Sequence, residues 1–335
     1  MNRIGILGAG TWGIALSNVL CRAGYNVQVW SALAEEIDQL NVTRKNKNLP
    51  DLVLPEEISF IKSDEEICKD KDILIFAVPS VFMRSTVKRV KQYINDTQLI
   101  VSVAKGFETS TLDTMSDIIE DETGIDSDRV IALSGPTHAE EVAKNLPTTI
   151  VACCTNNDNA RKVQDIFENT CIRAYTNSDV KGVELCGALK NVIAISVGIS
   201  TGLGYGDNAR AALITRGMVE IKRLGLKMGC REETFDGLAG IGDLIVTATS
   251  MHSRNNRCGI LIGKGYKVED AVKEVGMVVE GLNALPGAVK LAEKYNVEMP
   301  IVNALNNIVN YGKSAKEVVY DLMNRETKGE SLFIR

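Results

Sequence analysis

Along the first half of the chain, short apolar runs alternate with stretches in which apolar residues recur at helical spacing. The runs are Ile4–Leu7, "NVQVW" (26–30), "DILIFAVPS" (72–80), "LIVSVAKGF" (99–107), "VIALSGPTHAEE" (130–141) and "TTIVACC" (148–154). Continuous apolar runs ending in small or polar residues predict strands buried on both faces, as in a mostly parallel sheet with helices between its strands. From about residue 181 the strand pattern stops, and segments 181–199, 208–226, 280–295 and 300–311 carry apolar residues at helical spacing. The expected architecture is an α/β N-terminal domain over residues 1–180 and an all-helical C-terminal domain over 181–335. No internal repeat or low-complexity linker interrupts the chain, so the boundary falls at or inside a helix near 178–190.

The first strand runs into Gly8, Gly10 and Gly13 in GxGxxG spacing, and an apolar helix pattern and the second strand follow. The three glycines do different things. Gly8 permits the tight turn, Gly10 lets backbone N–H groups reach a pyrophosphate, and Gly13 lets helix and strand pack closely. In this setting the motif predicts dinucleotide binding and a Rossmann-type domain, with a merely tight structural turn as the alternative. Ligands of such sheets bind beyond the carboxyl ends of the strands. That makes Pro79, Lys105, Gly135, Pro136 and Thr137 candidate site residues, each also readable as a turn or surface residue. Folds selective for NAD usually place an acid about 20 residues after the glycines. Here the second strand ends in Trp30-Ser31-Ala32, and no arginine for a 2′-phosphate follows at once. NADH and NADPH are therefore expected to be used within about tenfold of each other.

In the helical half, "GVELCGALKNVIAIS" (182–196) places Lys190 inside an otherwise apolar helix, with Gly187 and Ala194 leaving the face around it bare. A lone lysine in such a helix commonly buries its stem and carries its charge out to water. The other reading is a close approach by a substrate. "TFDGLAGIGDLIVTATSMHSRNNRCG" (234–259) brings glycines 237, 240 and 242 up to Asp243, which as an isolated residue reads as a cap for a helix beginning at Leu244. Ser253, Arg254, Asn255 and Arg257 resemble a helix start with a hydroxyl cap and guanidinium groups, an arrangement that suits phosphate. A solvated charged turn is the alternative.

Composition narrows the partners. The chain has 335 residues, 45% hydrophobic and 24% charged, with a formal net charge of −5. Its length exceeds the usual single core, and the acidic balance argues against a broad nucleic-acid surface while leaving room for a local anion site. The eight cysteines form no CxxC pair and no metal-type cluster with histidine, so they read as reduced core residues and no metal is expected. "MNR" leads straight into "IGILGAG" without a signal-peptide pattern, which points to the cytoplasm. The longest uncharged run, 191–206, is too short and too rich in glycine and serine for a membrane span.

The ordered segments "GAGTWG" (8–13), "AVPS" (77–80), "KGFE" (105–108), "SGPTHAEE" (134–141), "ELCGALKNVIAI" (184–195), "GLGYGDNARAALITRG" (202–217), "GLAGIGDL" (237–244), "SRNNR" (253–257) and "VVEG" (278–281) span most of the chain. On them the chain resembles the bacterial NAD(P)-dependent glycerol-3-phosphate dehydrogenases over essentially its whole length. The resemblance implies a Rossmann domain followed by a helical domain, NAD(P)H as cofactor, and interconversion of dihydroxyacetone phosphate and sn-glycerol 3-phosphate for glycerophospholipid synthesis. It also implies a homodimer.

Residue by residue, the resemblance implies that Gly8, Gly10, Thr11, Trp12 and Gly13 form the dinucleotide turn, with Ser31 at the cofactor as well. Lys105 would touch cofactor and substrate, Gly135 and Thr137 the substrate, and Ala139, Val278 and Glu280 the cofactor. Lys190 would transfer the proton, with Lys105 and Asp243 completing the catalytic set. Asp243, Ser253, Arg254 and Asn255 would hold substrate, Arg254 also lying near the cofactor. The departure is "WSALAEE" (30–36), where many members carry an arginine soon after the tryptophan. Two rivals stand beside this reading: a 3-hydroxyacid dehydrogenase of similar build, whose substrate carries a carboxylate, and a dinucleotide-binding protein without turnover.

Overall fold

The computed structural model describes residues 3–327 and 329. They form two compact units. One comprises the chain up to Lys105 together with Asp113–Val180, and the other comprises Gly106–Leu112 together with the chain after Val180. The short segment Gly106–Leu112 thus leaves the first unit and returns, contributing Phe107 to the core of the second.

The first unit is built on eight strands: β1 Arg3–Leu7, β2 Asn26–Trp30, β3 Ser59–Ile61, β4 Ile73–Phe76, β5 Leu99–Ser102, β6 Val130–Ser134, β7 Thr148–Cys153 and β8 Ile172–Asn177. Their order is β3-β2-β1-β4-β5-β6-β7-β8. All pairs are parallel except β6 with β7. Side chains alternate across the pleat. Ile4, Ile6, Ile73, Ile75 and Val101 enter one apolar cluster, while Leu7, Leu74, Phe76 and Ile100 enter another. Both faces of the central strands are therefore buried, which is why their sequences read as continuous apolar runs.

Two strands lie outside the expected set. β3 has only three residues, and β8 mixes buried Ile172 with exposed Arg173 and Thr176 at the sheet edge. Neither produces a continuous apolar run.

Among the described residues the second unit contains helices and no strand. Its centre is the helix Val180–Gly202, which is long and apolar enough by composition to cross a membrane. It is instead a core helix, with 94% of its most apolar stretch buried. Gly198 and Gly202 on this helix face Gly259 and Gly263 on the helix Arg254–Gly263. A Cβ on Gly198 would stand 2.9 Å from the Gly259 Cα, and the same separation holds for Gly202 and Gly263. The two helices thus touch backbone to backbone, which only residues without a Cβ permit. This seam fixes the start of the second helix relative to Lys190, about two turns away on the first.

The eight cysteines are free, and burial pushes the Cys68 thiol up to about 12 and the Cys258 thiol up to about 11. Both are core side chains with little thiolate character.

Candidate active site

The switch point of the sheet lies between β1 and β4, where chain order reverses, and ligands of such sheets bind beyond the strands' carboxyl ends at this point. Gly8 turns there with φ +123°, and a Cβ on it would lie 2.5 Å from the Ala77 carbonyl oxygen of the neighbouring strand's end. Gly13 presses against the Gly8 carbonyl, so that helix Thr11–Arg22 starts directly on the turn. Gly10 is different: a Cβ there would meet nothing within 4 Å, and no side chain caps the helix it opens. Exposed N–H groups at an uncapped helix start, beside open space, fit a dinucleotide pyrophosphate.

Thr11 and Trp12 are half-buried in the first turn of that helix. The Thr11 hydroxyl accepts from Asn48 Nδ2 at 3.0 Å, and Asn46 Nδ2 donates to the Ala9 carbonyl at 3.3 Å. This asparagine pair braces the turn and has no recognisable signature in the chain. Ser31, just past β2, is buried; its hydroxyl donates to Glu36 Oε2 at 2.6 Å and accepts from Leu33 N at 3.2 Å.

Beyond β5 and β6 the structure brings together Lys105, Gly135 and Thr137. Lys105 Nζ and Thr137 Oγ1 each donate to the Gly135 carbonyl at 3.2 Å. Gly135 has φ +155°, and a Cβ on it would stand 3.0 Å from the Ile150 Cα of β7. Pro136 is half-buried between Gly135 and Thr137, and Ala139 begins the short helix Ala139–Ala143. Pro79 precedes the turn Ser80–Phe82.

In the second unit Lys190 is buried, with a side-chain exposure of 7% against 1% for its partner Asp243. Its ammonium is ion-paired with Asp243 Oδ1 and donates to Thr247 Oγ1 at 2.7 Å. The charge does not run out to water. Asp243 is the first residue of helix Asp243–Thr249, and its carboxylate compensates the buried ammonium. Gly240, with non-helical φ −91° and ψ −106°, lies against the Phe235 backbone and delivers Asp243 to this position. Thr247 went unrecognised in the sequence, although its position one turn after Asp243 puts both side chains on one helix face.

The remaining candidates cluster around the residue next to Lys190. Asn255 Nδ2 donates to Asn191 Oδ1 at 2.9 Å, and Asn255 Oδ1 accepts from Gly281 N at 2.9 Å. Asn255 is thus the strut that ties the Arg254 helix to the lysine helix and to "VVEG". Glu280 is the first residue of helix Glu280–Lys294, and Val278 is half-buried just before it. Ser253 caps its helix by accepting from Asn256 N at 3.2 Å, as its spacing predicts. Asn256 Nδ2 donates to the Ala248 carbonyl at 2.7 Å, which joins this helix to the one carrying Asp243. Arg254 is the first helical residue and is half-buried.

Two family models match the chain: the N-terminal part of the NAD-dependent glycerol-3-phosphate dehydrogenases over residues 3–160, and their C-terminal part over residues 179–320. The chain is 61% identical over 334 residues to glycerol-3-phosphate dehydrogenase [NAD(P)+] 2 of Lactobacillus delbrueckii subsp. bulgaricus, covering 98% of this chain and 99% of that one. It is 50% identical to the glycerol-3-phosphate dehydrogenase [NAD(P)+] of Fusobacterium nucleatum, covering 98% and 99%. The crystal structure of glycerol-3-phosphate dehydrogenase from Coxiella burnetii superposes with a TM-score of 0.92 at 35% identity, over 97% of this chain and 99% of that one. With the glycine turn, the buried lysine–aspartate pair and whole-length similarity in agreement, this chain belongs to the NAD-dependent glycerol-3-phosphate dehydrogenase family.

Proposed function

We propose that this protein interconverts dihydroxyacetone phosphate and sn-glycerol 3-phosphate with NAD(P)H, and that Lys190 is the group that gives and takes the proton. The observation that carries the proposal is the buried Lys190–Asp243–Thr247 constellation. NAD(P)H, when bound, supplies the hydride that reaches the carbonyl carbon. The Lys190 ammonium protonates the oxygen on which negative charge develops, and in the oxidative direction neutral Lys190 accepts that proton back. Asp243 and Thr247 hold the ammonium in place before the reaction, so no reorganisation is required as charge develops. Lys105 and Thr137, gathered at the Gly135 carbonyl, place donors beyond the strand ends for the substrate's oxygens. Ser253 and Arg254 offer helix N–H groups and a guanidinium for the phosphate. The product serves as a glycerophospholipid backbone.

Lys190→Ala is expected to lower turnover by at least the ~10²-fold typical of a lost general acid, with NADH binding measured by calorimetry nearly unchanged. Near-normal turnover would sink the assignment. Assaying dihydroxyacetone phosphate against 2-oxo and 3-oxo acids separates this reading from a hydroxyacid dehydrogenase, and any turnover removes the non-catalytic alternative. The same reading carries a cytoplasmic homodimer, for which sedimentation equilibrium should return twice the chain mass.

A further inference from the structure

The groove beside the glycine turn has a volume of about 600 Å³ and is lined by Gly10, Leu33, Glu36, Lys45, Asn46 and Asn48, among others. It runs from the uncapped helix start to the end of β2. In a dinucleotide fold that strand end is where the adenosine ribose is read. By linear spacing the chain lacks an acid there. The fold supplies one: the first turn of helix Ala34–Thr43 carries Glu36 back toward the strand end, where Ser31 donates to its Oε2 at 2.6 Å. Ser31 is itself buried and held through Leu33 N, so Glu36 is anchored at the groove wall. Lys45 and Lys47 also line the groove, but both are exposed on long side chains, and their charge is screened.

We propose that Glu36, positioned by Ser31, selects NADH over NADPH by accepting from the ribose 2′-hydroxyl and repelling a 2′-phosphate. This rests on the dinucleotide reading of the glycine turn and departs from the near-equal use expected from spacing alone. An anchored carboxylate at hydrogen-bonding distance from the ribose would stand in contact with a dianionic 2′-phosphate.

The test is calorimetric titration of the substrate-free protein with NADH and with NADPH, in the natural chain and in Glu36→Gln. The natural chain should bind NADH at least about tenfold more tightly, and the ratio should fall as salt is raised. Glu36→Gln should bring the ratio to within about threefold, chiefly by strengthening NADPH. Equal or tighter NADPH binding in the natural chain would overturn the proposal, as would a variant that weakens both nucleotides equally. Lys45→Gln/Lys47→Gln should leave NADPH binding within about twofold; an NADPH-specific loss beyond that gives the 2′-position to the lysines and refutes Glu36. Failure of either nucleotide to bind would refute the glycine-turn reading itself, whereas NADH binding with an unaltered ratio in Glu36→Gln refutes only Glu36.

Discussion

The Lys190–Asp243 pair sits where a purely structural explanation competes with a catalytic one, and a double-mutant cycle separates them. Both side chains are almost wholly buried, at 7% and 1% exposure. Asp243→Asn leaves an ammonium facing a neutral amide, and Lys190→Met leaves a carboxylate that keeps the Thr247 hydroxyl at 3.4 Å but has lost its countercharge. Breaking a buried pair from one side costs about 3–5 kcal/mol, because the remaining charge stays buried without its countercharge. Removing both charges is far milder: Met fills the lysine stem's volume, Asn can donate to Thr247, and the double variant should come within about 1–2 kcal/mol of the natural chain. The assay is guanidinium unfolding followed by far-ultraviolet circular dichroism. The only tryptophans, Trp12 and Trp30, both lie in the first unit, so their fluorescence does not report on this site. All three variants should lack turnover. Stability restored without activity would show that the pair is kept for chemistry. A double variant less stable than either single one, or single variants costing under about 1 kcal/mol, would refute the reasoning.

Arg254→Ala should reduce kcat/KM for dihydroxyacetone phosphate by about 10- to 150-fold, the range of one lost charge-assisted bond, and should affect unphosphorylated dihydroxyacetone much less. Measured at saturating cofactor, equal losses for both substrates would take Arg254 away from the phosphate. Gly259→Ala drives a methyl group into the Ile195 carbonyl and should destabilise by about 1–3 kcal/mol or more, seen as a lower unfolding midpoint with reduced turnover. Glu220 is buried while accepting from Ile301 N and Val302 N at the start of helix Pro300–Tyr311, and burial pushes its carboxyl up to about 7 from 4.5. Its contribution is therefore complete below pH 4.5 and is lost as pH rises through about 7, by about 3 kcal/mol. Glu220→Gln should flatten the fall in stability between these limits, and an unchanged pH profile would reject the assignment.

Local chemistry alone determined the α/β half, the helical half and the dinucleotide turn. Strands β1, β4 and β5 are buried on both faces along nearly their whole length and so read as apolar runs, and Gly8, Gly10 and Gly13 answer to backbone geometry within a few residues. The cap at Ser253 was legible for the same reason. What the pattern missed had weak or distant causes. β3 is too short for a periodicity, and β8 is an edge strand whose alternation includes Arg173. Tertiary structure decided the partners: Lys190 meets Asp243 across 53 positions, and Asn255 meets Asn191 across 64. No spacing rule brings such residues together; the glycine seam sets the Asn255 helix against the lysine helix, and the Gly240 turn against the Phe235 backbone delivers Asp243. Glu36 makes the same point at short range. Its position five residues past Ser31 is too far along the chain for a strand-end acid, yet one turn of helix folds it back onto the strand end.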